Sequence, residues 1–211
     1  MLETKEKVMS ALEKTLLSDD ERESMTANPA RQDEAFLKGA YAYLSTTALT
    51  ARYSVISGII EEHNCDRILD IGCYTGGLRA SLNRHRAYHG IDISAHAILE
   101  AQKSYSHIEH TRFTVGDVRT VRFPEESFAC VVWAGIGFGY SQADNQSFID
   151  LFDKACEFCS ENGILIFECI EGYSWIQTHI ERVSKILNVL QVTYPLATVH
   201  NKRTLFISRK I

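Results

Sequence analysis

The segment Asp70-Ile71-Gly72-Cys73-Tyr74-Thr75-Gly76-Gly77 places an acid ahead of three glycines. Glycines at this density let backbone approach a ligand where a side chain would collide. Two nucleotide-binding patterns come near it. Gly72 and Gly77 have the glycine spacing of a GxxxxGK[ST] phosphate loop, but Leu78-Arg79 follows, so the phosphate lysine and the magnesium hydroxyl are missing. The dinucleotide fingerprint GxGxxG, aligned on the same two glycines, needs a glycine where Tyr74 stands. Neither pattern explains the acid. Two further acids follow: Asp92 in Gly90-Ile91-Asp92-Ile93-Ser94, 92 − 70 = 22 residues on, and Asp117 in Gly116-Asp117-Val118. A carboxylate about 20 residues beyond a glycine-rich turn accepts ribose hydroxyls in dinucleotide sites. Taken singly, each acid has a plainer reading as a helix cap, with Asp92 or Ser94 capping the next helix.

For three acids to face one ligand, they must stand at strand ends on one edge of a sheet. The hydrophobic pattern supplies such strands. Arg67 to Ile71, Tyr88 to Ile93, Arg112 to Val115, Phe128 to Trp133 and Gly163 to Ile170 are short runs rich in apolar residues, as in parallel strands covered on both faces. Helical spacing falls between them: Leu78 to Asn83, a helix capped by Ser94 through Ala97, Leu99 and Ala101, and Gln142 to Cys159 with Phe148, Leu151, Phe152 and Ala155 on one face. A helix with Ile176, Ile180, Val183 and Leu187 precedes two closing strands, Val189 to Val199 and Thr204 to Ile207, with a turn near Asn201-Lys202. Ahead of all this the chain reads as helices. Val8, Leu12 and Leu16 recur at helical spacing, and Ser18 with Glu21 makes a capping box. Asn28-Pro29 opens a helix towards Leu44, and Leu49, Tyr53, Ile56 and Ile60 mark the apolar face of another that ends near His63-Asn64. The expected fold is a doubly wound, mostly parallel seven-stranded α/β sheet with helices on both faces and a C-terminal antiparallel hairpin, plus an N-terminal helical extension.

The line Ile68-Leu69-Asp70-Ile71-Gly72-Cys73, followed by Thr75-Gly76 and in register with Asp92 and Asp117, resembles class I S-adenosylmethionine (SAM)-dependent methyltransferases. The resemblance covers roughly residues 65 to 170 and implies a Rossmann-like domain over residues 63–211 under a helical cap or lid formed by residues 1–62. It implies SAM as cofactor, with Asp70 facing its amino-acid end, Asp92 the ribose hydroxyls and Asp117 the adenine amino group. Gly72, Cys73, Tyr74, Gly76, Ile93, Val118 and Trp133 fall at the family's cofactor-contacting positions. Family members often have glycine where Tyr74 stands, which marks a departure in the loop's shape. Related small-molecule enzymes use a tyrosine or arginine ahead of the first strand on the cofactor carboxylate or the substrate. That makes Arg52 a cofactor residue and Tyr41 and Tyr43 substrate residues, with packing of a helix face as the plainer role for the tyrosines.

Methyl transfer from a sulfonium needs positioning and, at most, one group to take a substrate proton, so no catalytic motif is expected. By position after the fourth and fifth strands, Tyr140 and Glu171 are the catalytic candidates; each also suits a surface turn. The fourth strand runs into Trp133-Ala134-Gly135-Ile136-Gly137-Phe138-Gly139-Tyr140, without the [DN]PP[YF] signature of base-amine methylation and without an Asp to begin a magnesium site. The expectation is methylation of a small metabolite on nitrogen, oxygen or sulfur, without a metal. The alternatives are use of the aminobutyl arm of SAM by the same fold, or a non-catalytic partner subunit. A net charge of -5 lacks the basic excess that phosphate binding needs, so a nucleic-acid substrate is disfavoured. The N-terminus lacks a signal peptide's basic start and apolar run, and no apolar stretch approaches the roughly 20 residues that span a bilayer. A cytoplasmic protein with six reduced cysteines is expected, the Cys156/Cys159 pair packing inside a helix. The sequence does not specify an oligomeric state.

Overall fold

The computed structural model describes residues 28–42, 47–123, 128–135, 145–170, 174–193 and 202–210. Two helices, α1 (Pro29–Leu37) and α2 (Thr47–Glu62), lead into β1 (Arg67–Ile71), α3 (Gly77–Ser81), β2 (Ala87–Asp92), α4 (Ala95–Tyr105), β3 (Thr111–Val115) and β4 (Phe128–Ala134). Then come α5 (Asn145–Phe158), β5 (Cys159–Ile170), α6 (Ser174–Val183), β6 (Ser184–Thr193) and β7 (Lys202–Lys210). The strands form one sheet of order β3-β2-β1-β4-β5-β7-β6, in which β7 runs against both its neighbours and all other pairs are parallel. The order reverses between β1 and β4, so the crevice for a ligand lies over their carboxyl ends.

Successive side chains of a strand point to opposite faces, and both faces here are covered. Ile68, Val132 and Ile166 pack with Tyr53, Ile56 and Ile60 of α2 and Leu78 of α3. Leu69, Trp133 and Phe167 pack on the other side with Phe148 and Phe152 of α5 and Ile176 and Ile180 of α6. This alternation sends Asp70, between Leu69 and Ile71, towards the α2 layer. The continuous burial of residues 68–71 explains why the strand reads as an unbroken apolar run apart from that acid.

Two predicted caps are present. The Asn28 side chain accepts from the N–H groups of Ala30 and Arg31, ahead of Pro29 in the first turn, and Ser94 accepts from the Ala97 N–H at 3.1 Å. Three boundaries differ from the sequence reading. The first helix stops at Leu37 rather than near Leu44: the Lys38 N–H closes on the Glu34 carbonyl, and Gly39 takes a left-handed φ of 69°. The helix carrying Ile176 and Ile180 ends at Val183. From Ser184 the chain pairs with β7, so Leu187 belongs to a strand, ladder pairing having overridden helical spacing. The pair Cys156 and Cys159 straddles the end of α5 and the start of β5 instead of lying in one helix; all six cysteines are free and buried. The Ser18–Glu21 capping box lies outside the described residues. No helix among the described residues is long and apolar enough to cross a membrane.

Candidate functional site

The turn after β1 depends on three left-handed residues, Gly72 (φ 69°), Tyr74 (φ 49°) and Gly76 (φ 76°). The N–H groups of Gly72 and Cys73 both donate to the Ile91 carbonyl, which ties the turn to β2. A Cβ on Gly76 would fall 2.9 Å from the Phe113 ring, and one on Gly77 would fall 2.6 Å from the Tyr53 ring, so the turn has no room for side chains there. Gly90 leaves space for the Cys73 sulfur, which is buried and turned away from the crevice. Tyr74 holds a left-handed backbone at a cost of roughly 1 kcal/mol. Its ring lies 5.5 Å from Phe36 and 5.9 Å, edge-on, from Tyr41, and so brings α1 and the turn after it onto this loop.

Asp92, the last residue of β2, has one carboxylate oxygen on the Tyr74 N–H and the other on the Ser94 N–H, both at 2.9 Å. Burial raises its pKa, against the pull of those backbone donors. Capping of α4 is the work of Ser94, so the cap does not account for Asp92. The Ser94 hydroxyl also donates to Asp33 of α1 at 2.6 Å, and Asp33 accepts the His96 N–H as well. The N-terminus of α4 is thus clasped by α1. Ile93, between Asp92 and Ser94, is half-buried.

Asp117 stands in the turn after β3, where Arg119 grips both its oxygens. Burial pushes its pKa up, but the hydrogen bonds from the Arg119 side chain and backbone outweigh that and hold it low. Val118 points into the core on the α5 and α6 side.

The other end of the crevice is built from buried charge. Asp70 is 5% exposed and accepts the Tyr88 hydroxyl at 2.6 Å. Burial pushes its pKa up to about 7, with Tyr88 and Arg52 pulling the other way. Arg52, from α2, donates through Nη1 to Glu168 Oε2 at 3.2 Å and through Nη2 to the Tyr53 hydroxyl at 2.9 Å. Burial works to lower its pKa, but Tyr53 and Glu168 outweigh it and the net direction is up. The guanidinium lies against the backbone just past β4: a Cβ on Gly135 (φ 72°) would come within 2.3 Å of Nη1. Trp133, one turn of the pleat earlier, stacks on Phe148 at 5.3 Å and meets Phe167 edge-on at 5.1 Å, a core placement.

The structure therefore gathers Arg52, Asp70, Gly72, Tyr74, Gly76 and Asp92 around one crevice, with Asp117 at the next strand end and Tyr41 brought in through Tyr74. It turns the side chains of Cys73, Val118 and Trp133 into the core, leaving Cys73 only its backbone in the turn. Tyr43, Tyr140 and Glu171 lie outside the described residues. Residues that the sequence reading passed over are Tyr53, Tyr88, Asp33 and, above all, Glu168. Glu168 was detectable as the one charged residue in the otherwise apolar run 163–170. The donor set suits a ligand with a nucleoside at one end and a zwitterionic amino acid at the other: a two-oxygen acid over half-buried backbone, a glycine cradle, then a buried acid beside a buried arginine.

Residues 68–163 match a family model described as a methyltransferase domain. No curated protein sequence matches the chain. Among solved structures, the chain is similar to N-methyltransferase NodS from Bradyrhizobium japonicum WM9 in complex with S-adenosyl-L-homocysteine (SAH), with 17% identity, 90% of this chain and 97% of that one covered, and a TM-score of 0.68. Magnesium protoporphyrin IX methyltransferase from Synechocystis PCC 6803 with bound SAM superposes with a TM-score of 0.69 at 11% identity, over 93% and 99% of the two chains. The 1,6-didemethyltoxoflavin-N1-methyltransferase of Burkholderia thailandensis, with that compound and SAH bound, gives a TM-score of 0.70 at 13% identity, over 92% and 91%.

Proposed function

We propose that the chain is a class I SAM-dependent methyltransferase, a reading supported by the methyltransferase-domain match over residues 68–163, and that it methylates a nitrogen, oxygen or sulfur of a small metabolite without a metal. The observation that carries the reading is the convergence of Asp70, Asp92 and Arg52 on one glycine-lined crevice, where strand order reverses. The three solved proteins named above are described as acting on, or bound to, small molecules or as N-methyltransferases, which supports the substrate class without naming the acceptor.

In this reading the residues divide the cofactor between them. Asp92, steadied by the Tyr74 and Ser94 N–H groups, offers its remaining lone pairs to the ribose hydroxyls. Asp117 accepts from the adenine amino group, between the main chains at Ile93 and Val118. Asp70 holds the ammonium of the amino-acid end and Arg52 its carboxylate, an arrangement that suits the arginine's planar set of donors. Gly72, Cys73 and Gly76 supply close backbone. Bound SAM supplies an electrophilic methyl group on a sulfonium. The chain's task is then to orient the acceptor in line and exclude water. Helix α1, held to α4 by Asp33 and to the loop by Phe36 and Tyr41, serves as a lid over the nucleoside end. Tyr43, Tyr140 and Glu171 stay candidates for the acceptor by sequence position alone. The end of β4 and the residue after it, Ala134-Gly135, offer no acid with which to begin a magnesium site.

Titration with SAM and SAH, followed by product analysis on candidate acceptors, tests this. Binding that drops by about a hundredfold in Asp92→Ala, scaled to loss of a charge-assisted contact plus loop order, is expected. Turnover should release SAH. Release of methylthioadenosine would place the chemistry on the aminobutyl arm, and absence of binding in the parent protein would overturn the whole assignment.

A further inference from the structure

Glu168 has no role in the cofactor contacts proposed so far, yet it is the most deeply buried acid among the described residues, with 0% exposure. A carboxylate this deep costs several kcal/mol to desolvate, and an apolar residue would fill the same place on the sheet at lower cost. Its contacts are lopsided. Oε2 accepts from Arg52 Nη1 at 3.2 Å and lies 4.0 Å from Arg203, whereas Oε1 has no hydrogen-bond partner among the described residues. The pair is therefore single-point rather than forked, which is not how an ion pair built for stability closes. Arg52 is equally incomplete. Of the five N–H donors of a guanidinium, described residues engage two, through Glu168 and Tyr53, and the buried Nε has no partner among them.

The neighbour that matters is Asp70. Among the described residues Arg52 bonds to Glu168 and Tyr53 and Asp70 bonds to Tyr88, with no direct ion pair between the two, although Arg52 draws the Asp70 carboxyl towards ionisation. Left to itself, an arginine beside a buried carboxylate would close on it and form a direct ion pair. That pair would cancel both charges, and neither end of an incoming zwitterion would find its counterpart. Glu168 engages Nη1 instead, against the Gly135 backbone, where glycine alone leaves room for it. Tyr53 fixes Nη2 from the same helix.

We propose that Glu168 is a positioning residue that holds Arg52 apart from Asp70, so that the crevice keeps a separated positive and negative site for the amino-acid end of the cofactor. This rests on the assignment of Arg52 to the cofactor carboxylate. Glu168 touches neither cofactor nor acceptor in this account; it acts through Arg52.

The test compares two ligands that share adenosine and a thioether but differ in the amino-acid end, SAH and 5′-methylthioadenosine. In Glu168→Gln, which keeps shape and removes charge, SAH affinity should fall by about tenfold while methylthioadenosine affinity changes less than about twofold, the selectivity expected from losing one charge-assisted contact. Arg52→Gln should show the same selectivity, and the double variant should be no worse than Arg52→Gln alone, because both act through one contact. Glu168→Asp, which keeps the charge and shortens the reach, should fall between Glu168→Gln and the parent; it carries the test if the glutamine variant fails to fold. Equal loss on both ligands, or no loss on either, would overturn the role of Glu168. If Arg52→Gln is selective and both Glu168 variants are silent, only this inference fails. If Arg52→Gln is itself unselective, the carboxylate assignment beneath it fails.

Discussion

The two ends of the crevice are built on opposite principles. At the end we assign to the nucleoside, Asp92 and Asp117 are held by groups within a few residues of a strand end: the Ser94 N–H for one, Arg119 for the other, with the Tyr74 N–H arriving from the adjacent turn. At the end we assign to the amino acid, Arg52 comes from a helix ahead of the sheet and meets Glu168, 116 residues away, and Asp70 takes its hydrogen bond from Tyr88 on the next strand. The first end is short-range, hydrogen-bonded to backbone and partly open to water. The second is long-range, charged and closed. Recognition of a neutral nucleoside needs directional donors and acceptors, which turns supply. Recognition of a zwitterion needs two opposite charges kept from neutralising each other, which only a packed interior can enforce.

The sharpest way to break this contrast is by stability. Arg52→Leu would leave Glu168 buried beside only a distant Arg203 and should cost about 3–5 kcal/mol, as breaking a buried pair does. Asp117→Asn loses a half-exposed ion pair with Arg119 and should cost no more than about 1 kcal/mol. Urea denaturation of both variants without ligand measures the difference. Equal losses would mean that the two ends do not differ in the way described.

The same contrast explains what the sequence made legible. Asp70, Asp92 and Asp117 could be placed because each follows an apolar strand and precedes a turn, so its position along the sheet edge follows from strand periodicity alone. The sheet was legible for the same reason: strands buried on both faces read as apolar runs. Glu168 was not placed, because its significance depends on Arg52 of α2 reaching it from 116 residues away, and no local pattern encodes that contact. Cys73, Val118 and Trp133 lie at or just past strand ends in sequence, but their side chains turn inward. Strand alternation settles Trp133, and the empty space at Gly90 settles Cys73. The end of the first helix was misplaced because one left-handed glycine, Gly39, outweighed a helical pattern that continued past it.

A second test uses pH. Burial has pushed the Asp70 carboxyl from its ordinary 3.8 up to about 7. The folded ligand-free protein therefore holds this proton more tightly than the unfolded chain does. Its contribution to stability is full below about pH 4 and is lost as pH rises through about 7. Asp70→Asn keeps an acceptor for the Tyr88 hydroxyl and removes the charge. It should be near neutral at pH 4 and more stable than the parent at pH 8, by up to about 4 kcal/mol given the size of the shift. Cofactor binding should run the opposite way. An ammonium needs the ionised form, so SAH affinity of the parent should rise as pH rises through about 7, and that rise should vanish in Asp70→Asn. Thermal melts and titrations at both pH values measure the two slopes. Slopes of the same sign would detach Asp70 from the ammonium.

The smallest effect concerns the open end. Arg119 already occupies both oxygens of Asp117, donating from its backbone N–H and its guanidinium. An adenine amino group that binds there must share that carboxylate or displace the arginine, and displacement spends part of the binding energy on breaking a contact within the protein. Because the pair is exposed, with 40% and 26% of the two side chains accessible, water screens it and the penalty is slight. Arg119→Ala should therefore tighten SAH and methylthioadenosine alike, by about two- to threefold, a fraction of a kcal/mol in this setting. Equal gains on both ligands would assign the effect to adenosine, which they share. A gain restricted to SAH would mean that charge at the open end is felt at the closed one, and the separation between the two ends would be electrostatically incomplete. A loss on both would mean that Arg119 holds Asp117 in place for adenine rather than competing with it, which would make the open end as dependent on an arginine as the closed end is on Arg52.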